Sequence, residues 1–227
     1  GETVQGSAAL AAATHAAWLT ADVPTTLCRE QGKPLPMFTI QQLNASGQTM
    51  PAHGTYTLRK GDTDYAQGTF EAGHPFKVDA LATLPSGKYV LRYSTEAAAA
   101  DSAEVLVFSY TDKQPADVQS PLFFYNEKNE QTGSVKVVYG SPCKQATLFV
   151  DVVAGNRIVD SQRITCSNEL RHFDFNYKEL YGDGARLLIA MMHEGHLYTA
   201  ETEVVKPTPN KQLLLQWNTF RSRLTPG

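Results

Sequence analysis

The chain carries only three cysteines in 227 residues, Cys28, Cys143 and Cys166. That is too few for a disulfide-stapled scaffold, and their spacing matches no zinc knuckle. No apolar run approaches the ~20 residues a membrane-spanning helix needs. Charge of one sign is scarce: 20 basic against 23 acidic residues leave a net −3, without the basic surplus of a nucleic-acid binder. Helical patterning is also sparse. Few stretches keep apolar residues at i, i+3, i+4 and i+7, so helical crossovers and a parallel sheet are excluded. There is no nucleophile elbow around Ser86, Ser134 or Ser141 and no phosphate-cradling glycine loop. No cofactor is implied. No leader segment is visible, and Gly1-Glu2-Thr3 and Leu224-Thr225-Pro226-Gly227 do not read as natural ends. The expectation is a piece of a longer protein.

What the chain has is alternation. With 42% hydrophobic and 19% charged residues it has the composition of a globular protein. Phe38, Ile40 and Leu43 follow Pro36, and Tyr56 and Leu58 alternate with threonines. Tyr89, Leu91 and Tyr93 follow a Pro85-Ser86-Gly87 turn, and residues 105–108 continue the pattern. Residues 97–100, all alanine, read as a loop between two strands. Beyond Pro121 the pattern resumes at 135–139, 147–153, 157–164, 172–175, 185–192 and 196–205. Ala154-Gly155-Asn156 and Glu194-Gly195 supply tight hairpin turns. Trp18 to Val23 alternates up to Pro24, while residues 7–17 are alanine-rich and ambiguous between helix and strand.

Many short strands with turn residues between them predict an all-β fold of tandem antiparallel β-sandwiches of the fibronectin type III or immunoglobulin-like kind. The polar segment 111–120 separates two strand sets, and Lys206-Pro207-Thr208-Pro209-Asn210 reads as a second linker. The expected division is 1–14 as the end of a preceding domain, 15–112 and 113–206 as two sandwiches, and 207–227 as the first strand of a following domain.

Several motifs, in order, resemble bacterial alpha-2-macroglobulin-like proteins. They are Asn44-Ala45-Ser46-Gly47-Gln48, Ser86-Gly87-Lys88-Tyr89-Val90-Leu91, Pro121-Leu122-Phe123-Phe124-Tyr125, Tyr181-Gly182-Asp183-Gly184, Asn210-Lys211-Gln212-Leu213-Leu214-Leu215 and the final Phe220-Arg221-Ser222-Arg223-Leu224-Thr225-Pro226-Gly227. The likeness is strongest over residues 121–227. It implies macroglobulin-like sandwiches that act as scaffold in a protease-trapping inhibitor of the periplasm or cell surface. Catalysis would be absent from this piece. Its partners would be neighbouring domains of the same parent chain, with proteases engaged through parts not present here, and neither nucleic acid nor membrane insertion. A cell-surface adhesion or carbohydrate-binding module is the alternative that a sandwich fold leaves open.

Four constellations bear on chemistry. Cys28-Arg29-Glu30-Gln31 matches three of the four positions of the resembled family's Cys-Gly-Glu-Gln thioester motif, but Arg29 replaces the glycine and the context is a sandwich edge. It reads as a loop. His193-Glu194-Gly195-His196 lacks the two-residue spacing of a zinc-protease helix and reads as a hairpin tip. Asp62, Asp64, Asp101, Glu179 and Asp183 match no calcium-loop spacing, so no metal site is expected. Cys143 and Cys166 are candidates for a disulfide: a hairpin centred on Gly155 places position 166 opposite roughly 144 (partners summing to about 310). Such a bridge would contribute about 3 kcal/mol by closing its loop. Tyr125, Tyr139, Tyr181, Trp217 and Phe220 are the expected inter-domain contacts.

Overall fold

The computed structural model describes residues 17–30, 34–129 and 132–207. The predicted ends of flanking domains, with Trp217 and Phe220, lie outside the described residues. Within them the regular structure is nearly all strand, apart from two short 3-10 turns at Asp79–Ala82 and Glu179–Tyr181, and two sets of sheets follow one another.

The first set comprises β1 (Ala17–Asp22), β2 (Thr26–Cys28), β3 (Thr39–Asn44), β4 (Thr49–Met50), β5 (His53–Lys60), β6 (Thr63–Glu71), β7 (Gly87–Thr95) and β8 (Asp101–Phe108). They form a three-stranded sheet ordered β1-β3-β4 and a five-stranded sheet ordered β2-β8-β7-β5-β6. All pairs are antiparallel except β2 with β8. The chain changes sheet between β1 and β2, just past Pro24, which lacks the N–H a continuing ladder requires. Leu19 and Ile40 from the small sheet, with Phe38 just before β3, meet Leu58, Tyr89 and Leu91 from the large one in a single core. Tyr89 is fully buried, and its hydroxyl donates to the Pro85 carbonyl at 2.8 Å, which removes the cost of an unpaired buried hydroxyl. The Asn44 turn is closed by its own side chain, whose Oδ1 accepts from the Ser46 and Gln48 amides at 2.9 and 3.0 Å.

The second set comprises β9 (Phe123–Asn129), β10 (Ser134–Ser141), β11 (Ala146–Ala154), β12 (Arg157–Cys166), β13 (Glu169–Asn176), β14 (Gly184–His193) and β15 (His196–Val205). Their orders are β13-β10-β9 and β12-β11-β14-β15. This is an immunoglobulin-like arrangement of strands, with the fourth at the edge of the larger sheet. Val135, Val137 and Phe175 face Leu148, Leu187, Ile189 and Met191 across the sandwich.

Strands β2, β4 and β6 went unrecognised in the sequence, β4 being only two residues long. β6 is polar and largely exposed, and is held by its ladder to β5. β2 is only three residues long. Trp18, whose bulk suggests core, is 44% exposed because its strand turns Ala17 and Leu19 inward instead.

Candidate functional site: the junction between the sandwiches

Residues 109–122 connect the two sets of sheets, and their polar composition suggests a simple linker. The structure fastens them at several points. Glu30, two residues past β2, places one carboxylate oxygen 2.5 Å from the Tyr110 amide and 2.9 Å from the Ser109 hydroxyl, both of which donate to it. Asp112 accepts from the Ser109 amide at 2.9 Å. Further along, Asp117 accepts from the Lys88 amide at 3.0 Å and pairs with Lys60 at 2.6 Å. Both partners belong to the first sandwich. On the other side, the Leu170 amide of β13 donates to the Lys113 carbonyl at 2.8 Å.

An apolar contact joins the two bodies directly. Cys28 and Phe108, from the ends of β2 and β8, pack with Phe123 and Val138 of the second sandwich, all buried, and with the half-buried Tyr110, Tyr125 and Leu170. Phe108 stands edge-on to Phe123 and Tyr125, with ring centroids 5.3 and 4.8 Å away, the arrangement that aromatic quadrupoles favour. Strand register explains the docking face. Val138 lies opposite both Tyr125 and His172, and Gly140 lies between Phe123 and Leu170. These side chains therefore share the outer face of the β13-β10-β9 sheet, the face not used by the sandwich's own core. For that reason β10 is buried on both sides, with Val137 at 0% and Val138 at 1% exposure.

Tyr110 ties the polar and apolar parts together. Its hydroxyl donates to Glu127 on β9 at 2.7 Å, and the Lys136 ammonium sits 4.8 Å over its ring. Burial, and secondarily the bond to Glu127, holds its phenol well above the usual range. It stays protonated and remains a donor.

Asp117 shifts the other way. The hydrogen bond from Lys60, then that from the Lys88 amide, holds its carboxyl below the usual carboxylate range, and the same bond raises Lys60. Gly87, at φ +150°, leaves the space where Lys60 and Asp117 meet; a β-carbon there would collide with both. Because the folded value is depressed, the pair's stabilisation is present above the unfolded carboxyl value and is lost as pH falls through the folded one. Asp117 is 44% exposed, so solvent screening limits the contribution to about 0–1 kcal/mol. Thermal melts between neutral pH and pH 2.5 should therefore fall less for Asp117→Asn than for the wild type. Equal acid losses would refute the pair's role.

The expected inter-domain residues divide. Tyr125 lies at the junction. Tyr139 and Tyr181 belong to the second sandwich's own core, where they pack against Phe173 and Phe175 respectively. Alternation put Tyr139 on the inner face of β10, opposite to Val138.

The cysteines are also placed differently from expectation. All three are free thiols in the structure. Cys166 faces Ala146, not a position near 143. The β11–β12 turn pairs Ala154 with Arg157, and a bulge at Val152/Val153 shifts the register again. These two slips move the ladder from a sum near 310 to 312. Cys143 lies in the β10–β11 turn, where its carbonyl accepts from Asn168 at 2.8 Å. In the thioester-like segment, Cys28 ends β2 with its sulfur 3.7 Å from Glu30, and Gln31 lies outside the described residues. The His193–His196 pair closes the β14–β15 hairpin as expected. Among the described residues, no group of three or more metal-binding side chains converges, and no helix is long and apolar enough to cross a membrane.

A groove of about 630 Å³ opens between the free edges of β12 and β13, lined by Val150, Val152, Ile164, Phe173 and Leu187. Arg171 crosses it at one end, donating to the Thr165 carbonyl at 3.1 Å.

No family model matches the chain, and no curated protein does. Among solved structures, it is similar to Salmonella alpha-2-macroglobulin reacted with methylamine, at 13% identity and a TM-score of 0.32 over 86% of this chain. The chain spans 15% of that protein's length. It is also similar to a tandem of immunoglobulin domains from titin, at 12% identity and a TM-score of 0.21, over 84% of this chain and 95% of the other. At such overlaps the assignment to immunoglobulin-like sandwiches rests on the strand order described above.

Proposed function

We propose that this chain is a rigid spacer: two macroglobulin-like sandwiches, with no catalysis of their own, that hold neighbouring domains of a parent chain at fixed separation. The observation that carries this reading is the connecting segment, bonded to the first sandwich through Glu30 and Asp117 and to the second through Lys113. Immobilising a connector of this length costs conformational entropy, and contacts on both sides of it offset that cost. In the fuller version the parent is a bacterial alpha-2-macroglobulin-like protease trap of the periplasm or cell surface. The motifs around Ser86, Pro121 and Tyr181 favour that parent, and proteases would be engaged by segments beyond this one.

Spin labels on exposed strand positions, Asp64 of β6 and Arg163 of β12, test the rigidity. A single narrow distance distribution is expected, and a broad one would refute the spacer. The trap is tested separately: this piece should leave proteases fully active, and stoichiometric inhibition by it alone would overturn the division of labour. The groove between β12 and β13 is the one observation favouring a carbohydrate-binding or adhesion module instead; a saturable glycan-array signal abolished by Phe173→Ala would support that reading.

A further inference from the structure

The three thiols stand in unlike surroundings. Cys28 and Cys166 are buried, at 7% and 0% exposure, and burial pushes the Cys166 thiol up to about 11. Cys143 is half-buried, in the turn between β10 and β11. Its backbone is fixed at both ends, by the Ser141 hydroxyl accepting from its amide at 3.1 Å and by its carbonyl accepting from Asn168. The β14–β15 hairpin brings His193 against it. The Cys143 sulfur lies 3.7 Å from Nδ1 and 3.8 Å from Nε2 of that ring. Glu194 also approaches the imidazole, with a carboxylate oxygen 3.8 Å from Nε2. This is ion-pair range and longer than a hydrogen bond. In the neutral imidazole one of the two ring nitrogens carries no proton and can accept one, and both lie within reach of the sulfur.

We propose that Cys143 is a thiol–disulfide exchange site, with His193 as its base and small organic disulfides as the substrate class. The Cys143 S–H proton passes to the imidazole as sulfur attacks one sulfur of the disulfide R–S–S–R. The S–S bond breaks, R–S⁻ departs and takes up a proton, and a Cys143–S–S–R mixed disulfide remains. The disulfide itself is the oxidant, so no other reagent is needed. The thiolate is the attacking species, so an adjacent base and partial exposure both raise the rate. Neither buried cysteine has both. The site lies outside the junction, and its reactivity does not depend on the spacer reading.

The test uses the full chain with excess dithiobis(nitrobenzoate), following thionitrobenzoate release and mapping the adduct by peptide mass. One equivalent should appear in a fast phase, with the adduct on the peptide containing Cys143. Cys143→Ser should remove that phase. His193→Gln, and independently His193→Ala, should slow it by at least about tenfold, while all three thiols react alike in denaturant. A fast phase that survives Cys143→Ser would overturn the proposal. So would a wild-type rate in both His193 variants, or release of two equivalents with no adduct, which would mean an internal bridge.

Discussion

Replacing Phe108 with alanine is expected to uncouple the two sandwiches at a cost of about 3–5 kcal/mol, the range for truncating a buried aromatic ring. Phe108 is 3% exposed and is the ring around which Tyr110, Phe123 and Tyr125 gather. Its loss removes contacts from both bodies at once, while the cores around Tyr89 and Ile189 keep theirs. Calorimetry should therefore show the sandwiches melting in separate steps, with the spin-label distances broadened at temperatures where each half is still folded. If the variant melted in one step with its distance distribution unchanged, the junction would owe its stiffness to the connector's polar bonds alone.

The second large effect is expected at Gly140. A β-carbon there would collide with the Glu169 carbonyl oxygen and sit 3.0 Å from the Leu170 α-carbon. Both obstacles are backbone and cannot swing aside, so Gly140→Ala must spread β10 from β13. Forcing atoms into a close-packed region typically costs about 1–3 kcal/mol. The damage falls on two interfaces, since this pair of strands builds both the inner sheet face and the face that receives Phe108. A lower urea midpoint together with broadened inter-sandwich distances is expected. A substitution that left both unchanged would show that the strands can part there without consequence.

Much of the architecture was legible because a half-buried strand writes its burial into alternate positions. Tyr89, Leu91 and Tyr93 are all buried, and the residues between them are not. Turn chemistry was equally plain at Glu194-Gly195. Three features were not legible, each for a physical reason. β12 is announced by its hairpin turn, but it buries only one residue in ten, and its register depends on a bulge that no residue type announces. β10 is apolar at successive positions 137–139 because it serves two interfaces, and nothing local says which tyrosine faces which. Hence Tyr125 lies at the junction while Tyr139 does not. The connector looked like a polar linker because its fastenings are carboxylates and backbone amides. Glu30 lies 80 positions from the amide it accepts from, a distance over which sequence pattern carries no signal.

The parallel pairing of β2 with β8 bears on how the protein would respond to tension. Strands near the beginning and the end of the first sandwich lie side by side and point the same way. A pull on the two ends of that body would drag them past each other lengthwise, loading their hydrogen bonds together in shear rather than peeling them one by one. The Arg29 amide, bonded to the Phe108 carbonyl at 2.7 Å, extends the ladder up to the point where the second sandwich docks. The place where an applied force would arrive from the neighbouring body is thus also where resistance to sliding is greatest.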